Sequence, residues 1–358
     1  MAKVVLDLRM VRGALHGIAR YALELARRLP RLEPSWQFIG LTGPDGLPND
    51  LGPLHPPIPL QKCAADFLSP IEQPVLASHL LFQRPDLFHA TSFSVPALWP
   101  GKLVATLHDA THLALQEANS KVRTAYYKLV VGPRAKTASA LITVSEFSRQ
   151  EISRHLGLSP FRLQVISNGV DPIFAPPSAV ALEDFRARRG LPPRYFAAIG
   201  SVKPHKNLTL LTPIADELPL KLALLAGRGA KRDLGFPSST LELSPLSDPE
   251  LVNFYGGAIA VMVPSRYEGF GLPALEAMAC GAPVIAADAG ALPEICGGAA
   301  LLVPPNDGAA WKEAAQRLFR DDALRAELSE KGKLRAARFT WEDCALQTLE
   351  VYRRALQK

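Results

Sequence analysis

The chain alternates short apolar runs with stretches whose apolar residues recur every three or four positions. This alternation is typical of βαβ units, in which buried parallel strands are joined by amphipathic helices. In the first half it predicts helices at 20–29 and 148–156 and strands at 4–8, 36–41, 87–89, 103–107 and 140–144. In the second half it predicts strands at 195–200, 222–227, 241–243, 258–263, 283–287 and 300–303. We therefore expect an α/β protein with two doubly wound parallel sheets.

Proline-rich segments divide this pattern. Residues 43–60 combine proline and glycine too densely for a helix or strand, so they are predicted to form a long surface loop. Residues 173–194, which follow Pro172, contain four prolines around a charged patch between the two alternating halves and are predicted to be an interdomain linker. The expected domains are 1–172 and 195–340, followed by a final helix at 341–358. A length of 358 residues suits two domains of ordinary size.

Composition indicates a folded, soluble protein, with 48% hydrophobic and 21% charged residues. The cysteines lie far apart without a C-x-x-C pair, which argues against a zinc site or a disulfide framework; they are Cys63, Cys280, Cys296 and Cys344. No apolar run approaches the ~18 residues of a membrane span, and the first strand begins without a secretion signal. The expected location is the cytoplasm, with peripheral contact to the inner face of the membrane.

The net charge is +6, and part of the basic excess clusters in one segment. The cluster interleaves with two tyrosines and comprises Lys121, Arg123, Lys128, Arg134 and Lys136. Such a pattern can rest on an anionic lipid surface, or it can be a solvated helix face. No nucleic-acid-binding motif accompanies the charge, so nucleic acid is not expected as a partner.

Two glutamates flank a glycine-rich turn in the segment 264–283, PSRYEGFGLPALEAMACGAP. Glu268 is predicted to lie in a strand-to-helix loop, and Glu276 about a turn inside the helix. Free amides at a helix start favour an anionic or hydroxyl-rich ligand, and the glycines allow close approach to the backbone. A sugar attached to a nucleotide diphosphate fits this description. The alternative is a strand–turn–helix with two solvated glutamates.

Three further residues stand where strands are predicted to end. Lys206 in SVKPHKNL could bring its ammonium to a diphosphate, and Gly17 in LHGIARY could admit a phosphate or sugar to the backbone. His108 follows LVATL beside Asp109 and could orient sugar hydroxyls or a leaving group. Their alternatives are an exposed loop lysine, a turn glycine and a core histidine with satisfied hydrogen bonds.

Several classes of site are not indicated by the sequence. No D-x-D pair occurs and the histidines lack ligand spacing, so no metal is expected. The loop after the first strand holds no G-x-G-x-x-G, which disfavours a dinucleotide dehydrogenase, and no G-x-S-x-G elbow is present for a serine hydrolase.

The segment SRYEGFGLPALEAMACGAPVIAADAGALPEI closely resembles the donor-site signature of retaining glycosyltransferases of family 4, which have the GT-B fold. Similar motifs recur along nearly the whole chain, namely GIARY, HD, VSEFSRQEI, NGVDPIF and PHKNL. The resemblance implies two Rossmann-like domains facing each other across a cleft, with the final helix packed back on the first domain. It also implies transfer of a sugar from a nucleotide diphosphate to an acceptor hydroxyl, in polysaccharide or glycolipid biosynthesis and without a cofactor.

The resemblance also assigns roles to particular residues. Glu276 would bind the ribose, Glu268 the donor sugar, Lys206 the diphosphate, and His108 the sugar from the opposite domain. The implied donor-binding set is Gly17, Ser201, Lys203, Arg228, Gly269, Phe270, Gly271, Leu272 and Glu276. Ser201 departs from the family pattern, which frequently has an arginine there. The missing charge would come from Lys203, Arg228 or Arg266.

The motifs say less about the identity of the donor sugar and of the acceptor than about the type of reaction. PHKNL is similar to the motif of mannosyl- and rhamnosyl-transferring members, which favours GDP-mannose over a UDP-linked sugar. The acceptor would be a glycan or a lipid-linked glycan. Two alternatives use the same donor site: a GT-B nucleotide-sugar epimerase and a non-catalytic nucleotide-sugar-binding protein.

Overall fold

The computed structural model describes residues 1–13, 16–48, 51, 53–69, 71–115 and 121–357, without the side chains of 121–123. The chain divides into two compact units. The first comprises Met1–Gly169 together with Trp341–Lys358, and the second comprises Val170–Thr340.

Thirteen strands lie within the described residues. They are β1 (Lys3–Asp7), β2 (Gln37–Thr42), β3 (Leu60–Lys62), β4 (Leu87–Ala90), β5 (Leu103–Thr106), β6 (Ala140–Thr143), β7 (Leu163–Val165), β8 (Phe196–Ile199), β9 (Leu222–Leu225), β10 (Leu241–Glu242), β11 (Ala260–Val263), β12 (Val284–Ala287) and β13 (Leu301–Val303).

The α-helices of the described chain are α1 (Gly17–Leu32), α2 (Glu72–Gln83), α3 (Thr111–Ala114), α4 (Lys121–Tyr126), α5 (Gly132–Thr137), α6 (Glu146–Leu156), α7 (Ala179–Arg189), α8 (Ala230–Asp233), α9 (Asp248–Gly256), α10 (Leu272–Ala279), α11 (Leu292–Cys296), α12 (Gly308–Arg320), α13 (Asp322–Ala336) and α14 (Trp341–Gln357). A single π-helical turn, Tyr127–Val131, joins α4 to α5.

Each unit contains one parallel sheet, which confirms the predicted α/β class. The strand order is β3-β2-β1-β4-β5-β6-β7 in the first unit and β10-β9-β8-β11-β12-β13 in the second. In both, the order reverses at one point, between β1 and β4 and between β8 and β11. The crevice at the carboxyl ends of such a strand pair is where doubly wound sheets bind ligands.

The edge strands β3 and β7 were not predicted from the sequence. Each has three residues, and β3 reads Leu-Gln-Lys and is half exposed, so neither carries an apolar run long enough to register. β3 begins at Leu60, so the predicted loop of 43–60 ends in a strand that pairs with β2.

The final helix α14 belongs to the first unit and packs against α1. It buries Trp341, Leu349 and Tyr352 in the same core cluster that holds Tyr21 of α1. A chain of hydrogen bonds crosses this core. His89 Nδ1 contacts Tyr352 Oη at 2.5 Å, and its Nε2 contacts Thr106 Oγ1 at 2.8 Å. Because these polar atoms are buried, their mutual hydrogen bonds fix one arrangement of helix against sheet.

The segment 173–194, predicted as a linker, instead belongs to the second unit and contains the helix α7. Ser178 Oγ accepts a hydrogen bond from Ala181 N at the start of α7, and Gly190 ends it in the left-handed conformation. The helix packs against α9, where Pro177 lies against Gly256. The prolines of this segment bracket the helix rather than interrupt it, and the division between units falls after residue 169 rather than 172.

The predicted basic cluster is not one free face. Arg134 is half-buried and donates from Nε to the Pro96 carbonyl at 3.2 Å and from Nη2 to the carbonyls of Trp99 and Gly101 at 3.1 and 3.0 Å. It therefore ties α5 to the loop before β5. Lys128 and Lys136 are exposed, while the side chains of Lys121 and Arg123 lie outside the described part of the structure.

Candidate functional site

The carboxyl ends of β8 and β11 carry the central residues of the site. After β8, a 3₁₀ turn spans Pro204–Lys206 and is followed by Asn207, which is buried and left-handed (φ 56°). Asn207 Nδ2 donates to the carbonyls of Pro264 at 3.0 Å and Pro305 at 2.7 Å. Asparagine tolerates this backbone conformation, so its amide can fasten the turn to the loop after β11.

Lys206 and Glu268 form an ion pair across these two loops. Lys206 Nζ lies 2.7 Å from Glu268 Oε1, and the side chains are 23% and 11% exposed. Partial removal from water strengthens the attraction relative to a fully exposed pair. The pair nevertheless remains open to solvent, so a ligand can reach both charges.

The backbone of Glu268 is held by the segment before α11. Ala291 N donates to the Glu268 carbonyl at 3.0 Å. Gly290 has φ +62°, and a Cβ built on it would lie 2.8 Å from Glu268 N. Only glycine allows this approach, which fixes the loop that carries Glu268.

Helix α10 begins directly after the glycine turn. Gly271 caps it in the left-handed conformation (φ +103°), where a Cβ would lie 2.9 Å from Leu292 Cδ2. Leu272 is the first helical residue and is followed by Pro273, and the amides of Ala274 and Leu275 donate to the Gly271 carbonyl at 3.1 and 3.3 Å. Phe270 contributes its backbone to this turn, because its ring is buried edge-to-face on Phe339, with centroids 5.8 Å apart.

Glu276 lies on the second turn of α10, as predicted, and is 7% exposed. The hydroxyl of the buried Tyr255 on α9 donates to its Oε2 at 3.2 Å. Burial, together with the Glu276 carboxylate, raises the pKa of the Cys280 thiol to about 12. The sequence did not indicate Tyr255, because it lies 21 positions before Glu276 with the strand β11 between them.

Further cations follow three neighbouring strands of the second sheet, β9, β8 and β11. Lys203 follows β8 beside the half-buried Ser201, Arg228 follows β9, and Arg266 follows β11. All three cations are exposed, and within the described chain none has a carboxylate at ion-pair distance. Because the carboxyl ends of parallel strands share one edge, these residues lie at the same sheet edge as the Lys206 turn. Any of them could supply the charge that Ser201 does not.

Ser265, in the loop that precedes Glu268, is another polar group at this edge. It is 1% exposed, and its Oγ has no hydrogen-bond partner among the described residues. Nothing in the sequence around Ser265 predicts that its hydroxyl is buried at this edge.

In the first unit, His108 follows β5 at the carboxyl edge. Its Nε2 lies 2.9 Å from the Thr91 carbonyl, which can only accept, so Nε2 carries the proton and Nδ1 the lone pair. Burial lowers the pKa of His108, which keeps the ring neutral at pH 7. The ring meets Tyr21 edge-to-face at 4.9 Å. Asp109 does not hydrogen-bond His108; its Oδ1 accepts from Thr111 N at the start of α3.

Gly17 is the exposed first residue of α1 rather than part of the preceding loop. His16 caps this helix, with Nδ1 accepting from Ala19 N at 3.4 Å. His108 and Gly17 thus belong to the first unit, and all other predicted site residues belong to the second.

A buried ionic group at the end of β1 was also missed. Arg9 lies between Asp7 at 2.7 Å and Glu72 at 2.8 Å, with all three side chains at most 2% exposed. Burial alone would lower the pKa of Arg9, but the two carboxylates outweigh it and raise the pKa. Ser94 completes the group by hydrogen-bonding Arg9. These residues join β1, α2 and the loop after β4, and they are too far apart in sequence to be recognised.

The described chain shows neither a metal cluster nor a membrane-spanning helix. It contains no group of three or more histidine, cysteine or acidic side chains placed to hold a metal ion. Nor does any helix there combine the length and apolar composition needed to cross a bilayer.

Comparison with known proteins identifies the chain as similar to glycosyltransferases. Residues 15–174 match the family model of Glycosyltransferase Family 4, and residues 183–335 match that of Glycosyl transferases group 1. O-antigen chain mannosyltransferase B of Escherichia coli is 29% identical over 98% of this chain and 99% of its own length. D-inositol 3-phosphate glycosyltransferase of Saccharomonospora viridis is 29% identical over 95% of this chain and 88% of its own.

Solved structures share the fold at lower identity. Sucrose-phosphate synthase from Thermosynechococcus elongatus has a TM-score of 0.80 at 21% identity over 99% of both chains. Anabaena HepE in complex with UDP and glucose has a TM-score of 0.79 at 20% identity, over 99% of this chain and all of that one. The fold is therefore GT-B. The two family models between them match most of the chain. The protein is thus an enzyme of the family 4, group 1 glycosyltransferases.

Proposed function

We propose that this enzyme is a retaining mannosyltransferase, which moves mannose from GDP-mannose to a hydroxyl of a glycan or lipid-linked acceptor during polysaccharide assembly. The observation that carries the proposal is the Lys206–Glu268 pair at the switch point of the second sheet. The choice of mannose is supported by full-length similarity to an O-antigen mannosyltransferase.

Lys206 would neutralise the diphosphate of the donor. The ammonium has three N–H donors, and Glu268 occupies one of them, so a phosphate oxygen can take another without breaking the pair. The exposed Lys203, Arg228 and Arg266 would add charge around the same turn. Charge that develops on the departing diphosphate would then be met by Lys206, which its pair with Glu268 already holds in place, and by the positive end of the α10 dipole.

Glu268 would accept hydrogen bonds from hydroxyls of the sugar, and Glu276 from those of the ribose. The Tyr255 hydroxyl donates to Glu276 Oε2 at 3.2 Å and so orients the carboxylate, a group that can accept hydrogen bonds from a vicinal diol. Hydrogen bonds to a charged carboxylate contribute about 1.5–3 kcal/mol each. These assignments place nucleotide, phosphates and sugar in sequence along one sheet edge.

The chemical step breaks the bond between the sugar C1 and the β-phosphate oxygen and forms a bond from C1 to the acceptor oxygen. The acceptor hydroxyl gives its proton to the departing phosphate oxygen, so the products are GDP and a mannoside. Since Glu268 is already paired with Lys206, the phosphate is the available base on the same face of the sugar. Attack from that face retains the anomeric configuration.

Peripheral membrane contact is a second part of the proposal, for which the exposed Lys128, Leu129 and Lys136 are the support. Each basic side chain near an anionic bilayer contributes about 1 kcal/mol. With Arg134 turned inward, the attraction should be weak. Co-sedimentation with anionic and neutral vesicles at low and high salt tests it, and equal negligible binding to both would reject it.

A ligand screen followed by a transfer assay tests the main proposal. GDP-mannose should raise the melting temperature more than UDP-glucose, UDP-galactose or ADP-glucose, because a ligand specific for the native state stabilises it by mass action. With a mannan oligosaccharide as acceptor, the product should gain one mannose by mass spectrometry. An epimerised sugar nucleotide formed without acceptor would instead identify an epimerase. Binding without turnover on any acceptor tested would favour a binding protein.

A further inference from the structure

A cavity of about 650 Å³ opens on the first unit, away from the carboxyl edge that holds His108. It is lined by residues at the starts of β6 and β7 and by the last two turns of α14, so it lies at the amino ends of the strands. Its volume is within the roughly 300–1,000 Å³ typical of small-molecule pockets. The proposed transfer reaction does not use it.

Two guanidinium groups in this cavity lack acidic partners. Arg162 donates to the carbonyls of Ala138 at 2.8 Å and Lys136 at 2.9 Å, and Arg354 donates to Gln164 Oε1 at 2.6 Å. Within the described chain neither has a carboxylate at ion-pair distance, and the lining includes no Asp or Glu. Two permanent charges are thus opposed only by neutral dipoles, which is the setting in which guanidinium groups bind phosphate.

Part of the remaining lining is apolar, beside the polar Ser139, Gln164 and Gln357. Leu141 and Val351 are 1% and 2% exposed and form part of the wall, while Phe161 at the rim is 97% exposed. Phe161 immediately precedes Arg162 in the turn Pro160–Arg162. Both side chains line the cavity, which therefore offers a cationic and an apolar contact together.

We propose that this cavity binds a phosphate ester that carries an apolar chain. The phosphate lies at Arg354 and Arg162, and the chain lies against Phe161 and Val351. Two guanidinium groups on separate elements suit a phosphate, since its several oxygens can accept from both. The same chemistry could come from free phosphate or from a lipid headgroup, and the test separates these sources.

Isothermal titration with dihexanoyl phosphatidic acid below its micellar concentration is the experiment, with inorganic phosphate as the second probe. The native enzyme should bind the soluble lipid saturably, and more tightly than inorganic phosphate. Arg354→Gln should weaken binding roughly tenfold, the scale of one hydrogen bond to a charged group. The matched control is Arg353→Gln, which removes the same charge one residue away, where it is paired with Glu33 at 2.9 Å. It should bind as the native enzyme does.

A second pair of variants tests the apolar contact. Phe161→Ala should weaken the lipid and leave inorganic phosphate unchanged, whereas Phe82→Ala, at another exposed phenylalanine of this unit, should change neither. All four side chains are exposed, and a thermal melt of each variant checks that it is folded.

Three results would overturn the proposal. They are no saturable binding of the soluble lipid, equal losses in Arg353→Gln and Arg354→Gln, and equal affinity for the lipid and inorganic phosphate, which would assign the site to free phosphate. Sedimentation equilibrium adds a fourth. A concentration-dependent dimer that Phe161→Ala abolishes would show that a second copy of the chain covers the cavity.

Discussion

Lys206 Nζ lies 2.7 Å from Glu268 Oε1 and so joins the loops that follow two neighbouring strands of the second sheet. Arg266 N, which donates to the His205 carbonyl at 2.8 Å, joins the same two loops through the backbone. The ammonium is therefore presented in a fixed position before any donor binds. A fixed charge stabilises a developing anion without the cost of reorganising solvent.

The first prediction concerns this lysine. Lys206→Met should lower kcat/KM for the sugar nucleotide by about 10²–10³, the effect of removing one preorganised electrostatic contact. Steady-state kinetics measures it. The matched control is Lys312→Met, which breaks another lysine–glutamate pair of the same unit, with Glu217 at 2.6 Å. A loss of the same size in both variants would show that general destabilisation, rather than the diphosphate contact, is responsible.

Glu276→Gln should weaken binding of the preferred nucleotide by about 1.5–3 kcal/mol, since the ribose hydroxyls lose a charged acceptor. Tyr255→Phe should cost less, about 0.5–1.5 kcal/mol, because it removes only the hydrogen bond that orients the carboxylate. Titration calorimetry with GDP and UDP gives both values. Unchanged affinity in Glu276→Gln would remove the ribose assignment.

Two glycines offer a matched test of the Glu268 loop. Gly290→Ala would place a methyl group 2.8 Å from Glu268 N, whereas Gly298→Ala has a similar positive φ and no atom within 4 Å. Both should lose about 1 kcal/mol of stability from backbone strain, and Gly290→Ala should lose more because its methyl group collides with the Glu268 backbone. Only Gly290→Ala should also raise the KM for the donor, by displacing Glu268. Equal kinetics for the two variants would mean that the position of the Glu268 backbone does not matter.

His89 makes stability depend on pH. Burial, with a smaller contribution from His108, lowers the pKa of His89 to about 3, while a histidine in the unfolded chain titrates near ~6.5. Between these values the unfolded state binds more protons, so the free energy of unfolding should fall as the pH is lowered from 6.5 toward 3. The slope for one such group is about 1.4 kcal/mol per pH unit.

Urea unfolding at several pH values measures this slope. His89→Gln should flatten it, because the group that binds the extra proton in the unfolded state is removed. If His89→Gln is too unstable to study, the native slope still decides the question, because a free energy of unfolding that does not change between pH 6.5 and 4.5 would contradict the prediction.

Transfer should persist in excess EDTA. The sequence holds no D-x-D pair, and the proposed mechanism gives the stabilisation of the diphosphate to Lys206 and the positive end of the α10 dipole. The assay is turnover with and without chelator, using protein dialysed against it. Activity that disappears and is restored by magnesium or manganese would show that a cation is required.

Much of the fold could be predicted because each buried parallel strand is a local apolar run. All of the predicted strands occur, with ends displaced by one or two residues, as for 258–263, which is Ala260–Val263. The linker prediction for 173–194 was wrong because proline usually interrupts helices. Here the prolines lie outside both ends of α7 and leave its interior free to form hydrogen bonds. Short edge strands such as β3 were not predicted because they are partly exposed and contain no apolar run.

The site divides in the same way. The turn around Gly271 and the helical position of Glu276 follow from local signals, since glycine, proline and helix periodicity are properties of adjacent residues. The contacts that orient them are long-range. Tyr255 with Glu276, and Arg9 with Glu72, meet only because the sheet order brings distant segments to one edge.

The most direct test of the account is the stereochemistry and lysine dependence of one reaction, GDP-mannose with a mannan oligosaccharide, followed by NMR of the new anomeric centre. The account predicts an α-mannoside, the configuration of the donor, formed by the native enzyme and reduced about 10²–10³-fold in rate in Lys206→Met. A β-mannoside, or an α-mannoside formed equally fast by Lys206→Met, would contradict it.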